Sequence, residues 1–266
     1  MLLPEAAIAA QQYNYPCGST QSHGNNVDTF QTYTFKTLGT FRGLLMNAYP
    51  RWPTPCYGLT ASSPQTEAQS MLLTFQGPGG TLNHLGFALC SYGEFTCSFD
   101  PNRTNQVHFV YAINNGSLID VGGQGGLPEV PISNHQYRFR MDYITCGGQP
   151  CVSYNVLDRT AGESTYHSFT RIRSSSSDAD MVWWGYETHY SGSVMGVPSA
   201  ALGLFVEDMQ IRQSGVSSYV RLSNLPKPLE GYSASPGLAF PSWYDGYVEN
   251  GPYPPSDRMQ IVTYVH

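Results

Sequence analysis

Apolar and polar positions alternate over short runs, and no window carries the three-and-four spacing of an amphipathic helix. Tyr137-Arg138-Phe139-Arg140-Met141-Asp142-Tyr143 alternates cleanly, as does Val152-Ser153-Tyr154-Asn155-Val156, so each shows one apolar and one polar face, as a half-buried strand does. Between them, Cys146-Gly147-Gly148-Gln149-Pro150-Cys151 reads as a hairpin tip stapled across its turn. Further strands are expected at Phe41 to Asn47, Ser70 to Phe75, Thr81 to Cys90, Gln106 to Ile113, His167 to Ile172, Ala201 to Gln210 and Met259 to His266. The run Val121-Gly122-Gly123-Gln124-Gly125-Gly126 does not sit between a strand and a helix, so it reads as a loop rather than a phosphate cradle.

One run organises the rest: Asp180-Met181-Val182-Trp183-Trp184-Gly185-Tyr186-Glu187-Thr188-His189-Tyr190. It is built of β-formers and holds a single carboxylate, Glu187, in mid-strand. A packed strand face rejects charge, so Glu187 either faces water or sits in a cleft with a chemical role. Alternation puts Trp183, Gly185, Glu187 and His189 on one face and Trp184 on the other. A glycine beside a carboxylate, among aromatics, is how a sheet makes a groove for an extended ligand.

The order of segments gives a lead-in at residues 1–34, a sandwich domain at 35–215 and a C-terminal wrap at 216–266 belonging to the same domain. The first ten residues end in small side chains like the tail of a signal peptide, without a basic n-region or a full hydrophobic core, and read as a leader remnant, a propeptide remnant or added residues. The wrap is rich in Pro, Gly, Ser and Tyr; its aromatics Phe240, Trp243, Tyr244 and Tyr247 argue for an ordered segment ending in a strand.

Composition agrees with an all-β fold: 266 residues with 19 Tyr, 12 Phe, 27 Gly and 19 Pro, and only 12% charged. The fold expected is a disulfide-bonded antiparallel β-sandwich of the jelly-roll or concanavalin-like kind, in one domain. With Lys36 and Lys227 the only lysines and a net charge of −6, the chain lacks the basic patch that nucleic acid requires. No apolar run approaches the ~18 residues of a membrane span. The six cysteines pair as Cys90–Cys97, Cys146–Cys151 and, by elimination, Cys17–Cys56; no cysteine–histidine cluster has metal-ligand spacing, so neither metal nor cofactor is expected. Disulfides place the protein in an oxidising, secreted setting. Asn102-Arg103-Thr104 and Asn115-Gly116-Ser117 are glycosylation sequons.

Trp184-Gly185-Tyr186-Glu187, followed after a polar loop by Met195-Gly196, resembles the tryptophan-glycine-glycine-glutamate and methionine-glycine-serine-glycine stretches of the neprosin family. Eqolisins, the fungal glutamic peptidases, carry a similar strand with a tryptophan three residues before the glutamate. Asn155, Thr160-Ala161-Gly162 and the tail Asn250-Gly251-Pro252-Tyr253-Pro254-Pro255 are similar to neprosin segments in order and spacing, over residues 35 to 260. The resemblance implies a secreted β-sandwich glutamic peptidase acting on extended, proline-containing peptides. In both families the glutamate's partner stands on an earlier strand, two residues before a glycine. Through Thr81-Leu82-Asn83-His84-Leu85-Gly86-Phe87 that position is His84, where neprosins have glutamate and eqolisins glutamine.

The chemistry then expected is Glu187 as general base on water and a protonated His84 as donor to the oxyanion. Reference values near 4.3 and 6.5 would give a bell-shaped rate centred at about pH 5. The alternative at His84 is a strand histidine satisfied by its neighbours. Gln69, Gln76 and Gln106 are other amide candidates, and the groove is expected to draw on Trp183, Trp184, His189, Tyr190 and Gln76. No Gly-x-Ser-x-Gly elbow marks a nucleophile. The competing class is a non-catalytic module binding peptide or polysaccharide through aromatic stacking. A glycan-active enzyme in the same groove would want a second carboxylate about 5–9.5 Å from Glu187, with Glu207 and Glu94 as candidates.

Overall fold

The computed structural model describes residues 17–22, 27–35, 39–50, 66–90, 97–98, 107–191, 194–198, 202–221, 224, 232–236, 244–249 and 259–265. Within 17–35, 66–71, 89–98, 185–205 and 232–265, and at 183, the description is of backbone and register.

Strands numbered along the chain form two large sheets and a small pair. The first sheet runs β16 (Tyr232–Pro236), β2 (Val27–Phe35), β12 (Met181–Ser191), β4 (Thr66–Gly77), β5 (Thr81–Cys90), β7 (Val107–Ala112), β8 (Leu118–Asp120) and β6 (Cys97–Ser98). The second runs β11 (His167–Ile172), β10 (Gln149–Asp158), β9 (Tyr137–Cys146), β3 (Phe41–Ala48), β14 (Leu202–Gln213), β18 (Met259–Val265) and β17 (Tyr244–Glu249), with β15 (Val220–Arg221) beside β14. β1 (Cys17–Ser22) pairs with β13 (Val194–Pro198). Every ladder is antiparallel except β6 with β8. The all-β antiparallel expectation therefore holds.

The two sheets bury one core between them, and the alternation read from the sequence decides who enters it. Leu73 and Phe75 of β4, Phe87 of β5, Phe109 and Tyr111 of β7 and Trp184 of β12 meet Tyr137, Phe139, Met141 and Tyr143 of β9 and Leu44 and Met46 of β3. Rings interlock edge to face across the gap, Phe87 with Phe139 at 4.7 Å and Phe109 with Tyr137 at 4.9 Å between centroids, a geometry that aligns ring edges with ring faces. Polar tips that enter the core find partners on the opposite sheet. The Trp184 indole N–H donates to the Leu45 carbonyl at 3.2 Å, and the Tyr154 hydroxyl to the Ala112 carbonyl at 2.9 Å. Burial pushes the Tyr143 phenol up to about 12, with the Arg173 guanidinium, 3.8 Å over the ring, acting the other way.

The hairpin β9–β10 and its Cys146–Cys151 disulfide form as expected. Cys90–Cys97 and Cys17–Cys56 lie outside the described side chains, as does Trp52. The structure departs from the sequence reading near the N-terminal end of the described residues. Strands are expected from Phe35 onward, yet Val27–Phe35 is a nine-residue strand paired with Val182 to Tyr190 of β12, and Tyr232–Pro236 pairs with its Gln31 to Phe35 end. Polar composition concealed this, because threonines suit a strand once it is paired.

The outer face of the second sheet is knitted by ions. Asp142 accepts from Arg212 at 2.8 Å and the Tyr219 hydroxyl at 2.7 Å, and forms an ion pair with Arg140 at 2.9 Å. Asp208, held at φ 53° where β14 bulges against β3, meets Arg138 at 2.7 Å and Arg221 at 2.9 Å. Glu207 beside it accepts from Gln136 at 3.0 Å on this second sheet, so it does not face Glu187 of the first. Gly43 is required here: a Cβ would stand 2.6 Å from the Tyr219 oxygen.

Candidate functional site: the outer face of the first sheet

β12 lies inside its sheet, with β2 on one side and β4 on the other. Val182 and Trp184 are fully buried in the main core, so positions 183, 185, 187 and 189 belong to the outer face. The cross-strand register lays that face out in rows. Thr34, Trp183, Thr74, His84 and Ala112 form one. Thr32, Gly185, Leu72, Gly86 and Val110 form the next, then Phe30, Glu187, Ser70, Ala88 and His108, then Asp28, His189, Ala68 and Cys90.

Two properties of this grid matter for chemistry. The rows around Glu187 hold small residues toward β4 and β5, Gly185 and Gly86 in one and Ser70 and Ala88 in the other, with Leu72 and Phe30 among them. Beside them Leu72, Ala88, Val110, Ala112 and Leu118 make a second, smaller core on the outer face. The carboxylate-bearing row therefore runs up against buried apolar surface, where electrostatic interactions are strong.

The register separates several residues that the sequence grouped. His84 is two strands from Glu187 and four residues along, which at ~4.8 Å per strand and ~3.4 Å per residue is about 17 Å between backbones. The two do not form a dyad across a ladder. His84 is nearly buried, with its Nδ1 2.8 Å from the Thr74 hydroxyl in the same row, the satisfied-histidine arrangement. Trp184, expected in the groove, is instead a core residue, because an odd offset from Glu187 reverses the face. Tyr190 shares the Trp184 parity, and Gln76 stands opposite Met181, six residues from Glu187. Trp183 and His189 remain on the Glu187 face.

Closer neighbours come from residues the sequence reading did not single out. Ser70 stands directly opposite Glu187 on β4, and Asp28 on β2 stands opposite His189, diagonal to Glu187. The signal for β2 was present in Val27-Asp28-Thr29-Phe30-Gln31-Thr32-Tyr33-Thr34-Phe35, a run of threonines and aromatics without a breaker. Other titratable pairs lie apart from this point. His108, fully buried at the far end of the Glu187 row, has its Nδ1 2.8 Å from Asp120, whose other oxygen accepts from the Gly122 N–H at 2.7 Å. His135 with Asp158 (2.6 Å) and His167 with Glu163 (3.0 Å) brace the ends of β9, β10 and β11. Among the described residues no three His, Cys, Asp or Glu side chains group as a metal site.

Two solved structures are similar to this chain. One is the crystal structure of scytalido-glutamic peptidase with a transition state analog inhibitor, at TM-score 0.49 and 12% identity over 93% of this chain and 100% of that one. The other is SCP-B, a member of the eqolisin family of peptidases, in a complex with the tripeptide Ala-Ile-His, at TM-score 0.43 and 10% identity over 93% and 100%. No family model and no curated protein matches the chain.

Proposed function

We propose that this protein is a secreted, acid-active peptidase that cleaves extended, proline-containing peptides, with Glu187 as general base. The observation that carries the reading is the place of Glu187: mid-way along an interior strand, on the outer face, with Gly185 two residues before it and Ser70 opposite. A carboxylate there is flanked by strands on both sides rather than standing at an edge, where charge serves to block sheet pairing.

A substrate laid along the face brings its scissile carbonyl over Glu187. The carboxylate takes a proton from water, and the water oxygen bonds to the carbonyl carbon. Collapse of the tetrahedral adduct breaks the C–N bond, and the proton held by Glu187 passes to the departing amine. Proline-containing segments are already extended, so little chain entropy is lost on lying down. Secretion is supported by the Cys146–Cys151 bridge and by an exposed sequon asparagine, Asn115, in a turn.

The test is digestion of denatured gelatin by the purified protein and by Glu187→Gln, from pH 3 to 8. Cleavage peaking in acid and lost in the variant supports the proposal. A variant that cleaves as fast as the parent overturns it, and absence of cleavage at every pH moves the weight to a peptide- or polysaccharide-binding module.

A further inference from the structure

The register that parts Glu187 from His84 brings a second carboxylate close. Asp28 is opposite His189, two residues from Glu187 along β12, and opposed residues share a face. Diagonal neighbours in an antiparallel pair stand about 7–8 Å apart between backbones and less between β-carbons. That spacing lets two side chains reach one bound water and one carbonyl. β16 pairs with β2 only from Gln31 to Phe35, so Asp28 is held by its pairing with β12. On this face His84 is about 17 Å from Glu187, and His108, three strand spacings away, about 14 Å. Asp28 is the ionisable residue of the neighbouring strands nearest to Glu187.

We propose that Asp28, as a neutral carboxylic acid, is the catalytic hydrogen-bond donor that works beside Glu187 on the substrate carbonyl. The inference rests on the reading of Glu187 as general base and names its partner. Like charges held this close disfavour ionising both carboxyls, so in acid one is kept protonated while the other stays charged. Glu187 then accepts the proton of the attacking water, and the Asp28 O–H donates to the oxygen that becomes the oxyanion. Asp28 keeps its proton throughout. The proton on Glu187 goes to the amine when the C–N bond breaks, and water is the only co-reactant.

The groups facing Asp28 fit this assignment. His189 is directly opposite on β12, with Glu187 diagonal to it. β17, which also packs on β2, carries Tyr244, Asp245, Tyr247 and Glu249. The Glu187 carboxyl, diagonal to Asp28, disfavours its charged form; His189, when protonated, opposes that.

Asp28→Ala, Asp28→Asn and Glu187→Gln, assayed on gelatin from pH 3 to 8, test the proposal. Removing one donor to an oxyanion lowers kcat by about 10²–10³-fold, with little change in KM, and Asp28→Ala is expected to show this. Asp28→Asn keeps a donor that cannot ionise. It is expected to retain activity and to move the alkaline limb of the pH profile upward. Its near-identical shape also controls for folding of β2. Asp28→Ala with unchanged kcat, beside an inactive Glu187→Gln, overturns Asp28 as the partner and leaves the Glu187 reading standing. Asp28→Asn as inactive as Asp28→Ala at every pH also overturns it, since a required carboxylate is not a neutral donor. Activity in Glu187→Gln removes the reading beneath it.

Discussion

Placing Glu187 on the outer face depends on the inward position of Trp184, and Trp184→Phe tests that directly. Trp184 is among the largest side chains with no exposed surface, and its indole N–H reaches the Leu45 carbonyl of the opposite sheet at 3.2 Å. Phenylalanine keeps the aromatic contact and removes three ring atoms, worth ~2 kcal/mol at about 0.8 kcal/mol per buried methylene equivalent. Losing the indole donor to a buried carbonyl adds about 1 kcal/mol. The total of about 3 kcal/mol lowers the melting temperature by roughly 6–12 °C for a domain of this size. Guanidinium unfolding with the disulfides intact measures it, beside Trp183→Phe. Alternation puts the neighbouring tryptophan on the outer face, so its variant should cost less than half as much. If Trp183→Phe proves the costlier change, the strand is turned over, Glu187 faces the core, and the site described above does not exist.

Two further outcomes follow from the polar braces. Asp142→Asn leaves Arg140 and Arg212 facing each other without a charge between them, and is expected to cost ~2 kcal/mol in urea unfolding, less than a fully buried pair because both arginines are partly exposed. Burial lowers the pKa of His167, but hydrogen bonds to Glu163 and the Gly125 carbonyl outweigh it and leave the value raised. A raised histidine contributes stability that is fully present below its unfolded value, about 6.5, and lost as pH climbs through the folded one. NMR titration should place the His167 midpoint above that of a free histidine, and Glu163→Gln should bring it down.

Much of the architecture was legible in residue order, because strand alternation is a local property. The β9–β10 hairpin, the strands at Phe41, Thr81, Val107 and His167, and the opposite faces of Trp184 and Glu187 all follow from a period of two. Glycines 147 and 148, both at positive φ, close the hairpin where the sequence places them. Sequence could also single out Glu187, since a lone carboxylate in an aromatic strand is visible without knowing what the strand touches. Which strands stand beside it is a different matter. Cross-strand register joins residues far apart in the chain, and a shift of two residues keeps every side chain on its face while exchanging its neighbours. The register puts His84 and Glu187 on one face and about 17 Å apart, whereas alternation orders faces within one strand only. It had no means of bringing Asp28, in a stretch that looked like a lead-in, to the strand beside Glu187. Pattern determined the faces; long-range pairing alone decided the neighbours, because backbone hydrogen bonds carry no sequence information until packing of the core selects one register.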